Sequence, residues 1–303
     1  IEGAMLDFTS GCLEPLGVRH AFFKGASLAH RYHSAPAARP SRDVDVLVDQ
    51  SMVFAVVRHA RQAGYTPVRP IGPSDRDLAR WMKQETVYGM HSPNGVLIEI
   101  HHSLDHGDGV LDSHKMLGRA ERIEFRGRSL PVLRTSDLFV YMCMHHTRHF
   151  WSHLHWYADL DAITAHPLFD LAEVREVAAG VRLGSTIEAC LQLHALARSA
   201  DWPEALSLDG GASEALLTRS VECLEGGPAR EVKLRATRLS RDRAFAWQSS
   251  LSERAVFFVR RVRDQARKQF RRVVNGIARR IRSGLKGGGD PHRDSGGSGG
   301  GRA

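Results

Sequence analysis

Residues 41–49, SRDVDVLVD, decide the fold of this chain. Val44, Val46 and Val48 recur at every second position, the period of a strand with one buried face. Residues i and i+2 of a strand share a face, so Asp43 and Asp45 project side by side while the valines pack behind them. Two adjacent carboxylates repel one another, and a hard divalent cation with oxygen ligands relieves that repulsion. A solvated edge strand that carries two outward acids has the same pattern.

A second apolar strand supplies a third acid. In residues 94–104, NGVLIEIHHSL, Asn94-Gly95 marks a tight turn, and Val96, Ile98 and Ile100 alternate with Leu97, Glu99 and His101. If this strand neighbours the first, Asp43, Asp45 and Glu99 converge and can hold one or two Mg²⁺ ions against a triphosphate. Pairing of Glu99 with a nearby arginine is the other reading. His101 shares the face of Glu99, where it supports a metal-bound carboxylate or serves as a structural hydrogen bonder.

Upstream, residues 22–32, FFKGASLAHRY, read as the end of a short strand followed by Lys24-Gly25 opening a helix. A glycine there lets backbone N–H groups approach an anion at the positive end of the helix. A turn glycine with no ligand fits equally. The Ala- and Pro-rich run 33–42 then reads as a loop. Residues 51–63 show helical spacing, and residues 119–133 form a two-stranded ribbon turning at Arg126-Gly127. From Thr135-Ser136-Asp137, a good helix cap, the pattern is helical to about Leu285. The expected order is α/β first and all-α second. The segments are 1–134, a helical domain 135–250, an amphipathic helix 251–286 and a disordered Gly/Ser-rich tail 287–303.

Charge is unevenly spread. Residues 251–286 hold twelve Lys/Arg against two Asp/Glu, so the formal net charge of +8 belongs to that segment and the rest is slightly acidic. Apolar residues recur there at spacings of three or four, from Val256 through Val259, Val262, Ala266 and Phe270 to Leu285. Such a helix docks its stripe on the helical domain, lies on an anionic membrane, or contacts a nucleic-acid backbone. Four scattered cysteines with no C-x-x-C pair argue against a zinc module and a disulfide scaffold. The start lacks the basic and apolar runs of a secretory signal. The expected location is the cytoplasm, or a membrane periphery reached through residues 251–286.

The ordered set FFKGASLAHRY, RPSRDVDVLV, VLIEIHHSL and SLPVLRTSDLF resembles a nucleotidyltransferase-like family with the pattern L-K-G…R-x-x-x-D-x-D-x-L-V…[DE]-x-H. That family belongs to the polymerase β-type nucleotidyltransferase superfamily. The likeness extends through MHHTRHFWSHLHWYADLDAI, for a coverage of roughly residues 12–165. It implies a mixed sheet with flanking helices, followed by an all-α part. It further implies Asp43 and Asp45 as metal ligands and Glu99 as the third ligand, which accepts the proton of an attacking hydroxyl. Gly25 matches the phosphate-contacting glycine, with Lys24, Ser27 and Arg39 beside the nucleotide. The wider superfamily carries Gly-Ser at the helix start, where this chain has Gly25-Ala26 and places Ser27 one position later.

The implied chemistry is attack by an acceptor hydroxyl on the α-phosphorus of an NTP, with Mg²⁺ or Mn²⁺ as cofactor and pyrophosphate released. The acceptor, whether small molecule, peptide or protein, is not named by the sequence. A non-catalytic nucleotide-binding relative, or a protein tethered to membrane or nucleic acid through residues 251–286, is the competing class. Finally, His145, His149 and His153 fall at i, i+4 and i+8 of the predicted helix. Their face either contacts metal or phosphate, closing over the nucleotide from the helical domain, or forms a polar seam between helices.

Overall fold

The computed structural model describes residues 1–69, 72, 74–83, 85–104, 110–198, 212–236, and 259, 262, 266 and 270. Helix α1 (Glu2–Phe8) leads through two short helical turns into strand β1 (His20–Phe22) and helix α2 (Gly25–Tyr32). Strand β2 (Asp43–Val48) is followed by α3 (Val53–Gln62), β3 (Thr66–Pro67) and α4 (Asp75–Met82). Then come β4 (Val87–His91), β5 (Leu97–His101), α5 (Ser113–Gly118), β6 (Glu121–Phe125) and β7 (Arg128–Val132). The described elements that follow, up to residue 236, are helices: α6 (Thr135–Arg148), α7 (Leu154–Thr164), α8 (Leu171–Gly180), α9 (Gly184–Arg198) and α10 (Ala212–Ala236).

The seven strands form one mixed sheet in the order β3-β4-β5-β2-β1-β7-β6. Strand β2 is central, antiparallel to β1 and parallel to β5. Its period-two pattern separates two cores. Val44, Val46 and Val48 pack with Phe22, Ile98 and Ile100 against α1 and α3. Leu47, Ala21 and Phe23 point the other way, into a core shared with α6, α7, α8 and α9. That second core runs across residue 134, so apolar contact continues from the sheet into the helices. Burial of each large aliphatic or aromatic side chain contributes about 1.5–3 kcal/mol, which makes the alternation a strong determinant of register.

Strand β4 lies in a stretch that the sequence pattern leaves unassigned, because its central Gly89 and terminal His91 interrupt any apolar alternation. It pairs with β5 through the Asn94-Gly95 turn, where Gly95 has φ +78°. The β6–β7 ribbon turns at Arg126 and Gly127, both at positive φ, as expected. The predicted continuous helix through His153 is broken: α6 ends at Arg148, and Phe150 and Trp151 take φ of +53° and +50°.

Residues Ile1–Ser250 form one compact unit and Leu251–Ala303 a second. In the second unit Val259, Val262, Ala266 and Phe270 are helical and exposed. The rest of the expected amphipathic helix and the whole Gly/Ser tail lie outside the described residues. Among the described residues, no helix is long and apolar enough to cross a membrane, and the four cysteines are free thiols buried in the fold.

Candidate active site

Parallel pairing of β2 with β5 sets Asp45 directly opposite Glu99 and Leu47 opposite His101. Asp45, Glu99 and His101 therefore rise from one face of the sheet, at the end of the core that Leu47 and Phe23 line. The Asp45 side chain is 4% exposed and that of Glu99 is 32% exposed. The first is thus enclosed and the second open to an arriving molecule. Asp43, at the first position of β2, is half-buried.

Three local groups, Lys24, His101 and Ser41, hold this acidic cluster together. Lys24 Nζ lies 3.3 Å from Asp45 Oδ1. His101 Nε2 lies 3.0 Å from the same oxygen and 3.6 Å from Glu99 Oε2. Ser41 Oγ donates to the Asp43 carbonyl at 2.8 Å and sits 3.3 Å from its carboxylate. These contacts divide the two neighbouring aspartates. Burial, then the Asp45 and Glu99 charges, push the Asp43 carboxyl up. Burial also acts against the Asp45 anion, but Lys24 and His101 outweigh it and hold that carboxyl below the usual range. Lys24 loses hydration in the same place, yet Asp45 and then Tyr141 keep its ammonium charged above the ordinary lysine value. Burial opposes His101 protonation, and hydrogen bonds to Asp45 and Glu99 reverse the balance and raise it.

The turn after β1 requires glycine. Gly25 has φ +58°, and a Cβ there would stand 2.7 Å from Ser41 Oγ and 3.2 Å from the Asp43 carbonyl oxygen. Its absence lets the N-terminus of α2 pack directly on the start of β2, beside Asp43. Ser27 is buried and donates to the Lys24 carbonyl at 2.9 Å, closing the first turn of that helix. Arg39 meets another element. Its Nε and Nη2 reach the two carboxylate oxygens of Asp159 on α7, at 2.6 and 2.7 Å. His33 Nε2 joins Asp159 Oδ1 at 3.0 Å. Thus Lys24, Gly25, Asp43, Asp45, Glu99 and His101 come together, whereas Arg39 is engaged by the helical part.

Helix α6 covers the Lys24 side. Tyr141 packs edge-on to Phe23 with centroids 5.2 Å apart, and Lys24 Nζ lies 5.5 Å from the Tyr141 ring. Tyr141 sits within the apolar run FVYMCM, where sequence offers no sign of this contact. His145 stacks on His149 at 4.9 Å, and His146 stacks on Trp156 at 4.4 Å with an 11° interplanar angle. Burial, reinforced by the Lys24 charge, holds His145 and His146 well below the ordinary histidine value and therefore neutral. His153 sits at the N-cap of α7, off the α6 face that the spacing had assigned it. Glu231 joins this seam through His149 Nδ1 at 2.8 Å and Ser152 Oγ at 2.7 Å.

The residues present suit a divalent ion. Ligand atoms of Asp45, Glu99 and His101 all lie within 4.8 Å of one another. Two carboxylates and an imidazole are a suitable donor set for such an ion.

Residues 10–197 match a family described as uncharacterised nucleotidyltransferase. No curated protein matches. Among solved structures, an antigenic nucleotidyltransferase-like protein from Paracoccidioides brasiliensis is similar over 62% of this chain and 92% of that one, at 13% identity and a TM-score of 0.37.

Proposed function

From a chain that belongs to the uncharacterised nucleotidyltransferase family, we propose metal-dependent transfer of a nucleoside monophosphate from an NTP to a hydroxyl-bearing acceptor. One observation carries the reading: Asp45 and Glu99 stand side by side on parallel strands with the Lys24 ammonium against Asp45. That arrangement concentrates two anions and one cation at the end of a strand-to-helix turn, the chemistry a metal-bound triphosphate needs.

Glu99 is the open carboxylate. It takes the proton of the acceptor hydroxyl while that oxygen forms a bond to the α-phosphorus, and the α–β bridging P–O bond breaks to release pyrophosphate. Asp45 is held as an anion by the Lys24 ammonium, which keeps it available to a metal ion. Lys24 and the backbone N–H groups that open α2 bind phosphate oxygens, and Gly25 allows their close approach. Ser27 and Arg39 orient this machinery through partners they already hold, the Lys24 carbonyl and Asp159. Mg²⁺ or Mn²⁺ carried by Asp43, Asp45 and Glu99 would neutralise the triphosphate and acidify the acceptor hydroxyl.

The test uses purified full-length protein, each of the four α-³²P-labelled NTPs with Mg²⁺ or Mn²⁺, and host extract as the acceptor source. Label is expected on an acceptor from one or more nucleotides, and the double change Asp43→Asn with Asp45→Asn should abolish it. Labelling that survives the double change would remove this site from the reaction.

A further inference from the structure

The imidazole beside the two carboxylates is placed as a ligand would be. Atoms bound at right angles to one metal, each about 2.1 Å from it, stand about 3 Å apart. His101 Nε2 is 3.0 Å from Asp45 Oδ1 and 3.6 Å from Glu99 Oε2, and the three ligand atoms all lie within 4.8 Å of one another. Small side-chain adjustments therefore let a single cation touch all three with the strands in place. The ring is buried and fixed edge-on to Phe23, with centroids 4.9 Å apart and an 83° interplanar angle, which aims Nε2 at the carboxylates. Strand register enforces the same placement: His101 follows Glu99 by two residues on the face that also carries Asp45. Asp43 is not a member of this cluster; its carboxylate sits beside Ser41 Oγ instead.

We propose that His101 Nε2 is a direct metal ligand with Asp45 and Glu99, making this a mixed nitrogen–oxygen centre that prefers a first-row transition ion such as Mn²⁺ to Mg²⁺. The inference rests on the metal reading of the cleft and specifies its donor set. Mg²⁺ dehydrates reluctantly and keeps its water, whereas imidazole suits first-row ions such as Fe²⁺, Ni²⁺ and Zn²⁺. Mn²⁺ shares the oxygen preference of Mg²⁺ but, as the first member of that series, takes a nitrogen donor more readily. Asp43 then remains for a second cation brought in with the triphosphate.

Metal-stripped full-length protein is titrated with Mn²⁺ and separately with Mg²⁺, and the Mn²⁺-loaded protein is examined by pulsed electron paramagnetic resonance. Wild type should show ¹⁴N coupling from one imidazole. Because the chain has 17 histidines, the coupling must also be assigned. His101→Gln should lose it and bind Mn²⁺ about tenfold or more weakly, with a smaller change for Mg²⁺. His101→Asp, which keeps a donor in place, should also lose the coupling and shift preference toward Mg²⁺; it decides the matter if the glutamine variant does not fold. Absence of nitrogen coupling in wild type, coupling that persists in either folded variant, or an unchanged Mn²⁺-to-Mg²⁺ affinity ratio would each overturn the proposal. If the nitrogen-ligated ion is found but no nucleotide is transferred, the transfer reading falls and this one stands. Transfer with no nitrogen ligand gives the reverse.

Discussion

Lys24 Nζ lies 3.3 Å from Asp45 Oδ1, and chain reversal between β1 and β2 brings them there. Phe22 pairs with Val46, so Lys24, two residues on, falls beside the start of β2. The ammonium offsets the charge of the most enclosed acid in the site, and Tyr141 and Phe23 shield the pair from one side.

Replacing Lys24 with Met should cost about 3 kcal/mol, because it leaves a buried carboxylate short of its cation. The pH dependence has a definite sign. Asp45 is held below its ordinary value of 3.8, so its stabilising contribution is complete above that value and is lost as pH falls beneath it. Urea unfolding from pH 7 to pH 2.5 should therefore show the wild-type advantage over Asp45→Asn level at higher pH and shrinking below about 4. An advantage that grew as the solution became acidic would contradict the assigned anion.

Gly25→Ala should destabilise the protein by about 1–2 kcal/mol through left-handed backbone strain alone. The added Cβ also meets Ser41 Oγ at 2.7 Å. Combining it with Ser41→Ala removes that contact but not the strain, so only part of the loss should return in thermal unfolding. Full recovery in the double variant would mean that the backbone at position 25 tolerates a side chain.

Arg39 and Asp159 lie 120 residues apart in sequence, and both are largely buried. Arg39→Lys cannot keep both hydrogen bonds, and Asp159→Asn removes the charge. A double-mutant cycle should give a coupling energy of about 2 kcal/mol or more, while additive single effects would show that the pair does not act as a unit.

Glu99→Gln keeps shape but cannot accept a proton. Turnover in the nucleotide-transfer assay should drop about 10²–10⁴-fold. Because the side chain is 32% exposed, the melting temperature should move little. A variant with near-normal turnover would pass the proton-accepting role to another group.

Much of the sheet centre was legible. The valines of β2 and the isoleucines of β5 report one buried face each, and alternation then places Asp43, Asp45, Glu99 and His101 on the other. Gly25 was legible as a turn residue because few conformations require glycine. Strand β4 was not, since Gly89 and His91 break its pattern and pairing with β5 supplies what propensity does not. Nor was the break after α6: Phe150 and Trp151 are buried aromatics, and only tertiary packing makes their positive φ acceptable.

The sequence by itself determined which residues share a face, because side-chain direction follows from a period of two and hydrophobic burial punishes any slip by one. Which faces meet was decided by the tertiary structure. The parallel β2–β5 pairing, Lys24 on Asp45, Tyr141 beside Lys24 and Arg39 on Asp159 all join distant segments. Such contacts depend on the closure of long loops around a common core, and a local pattern carries no record of that closure.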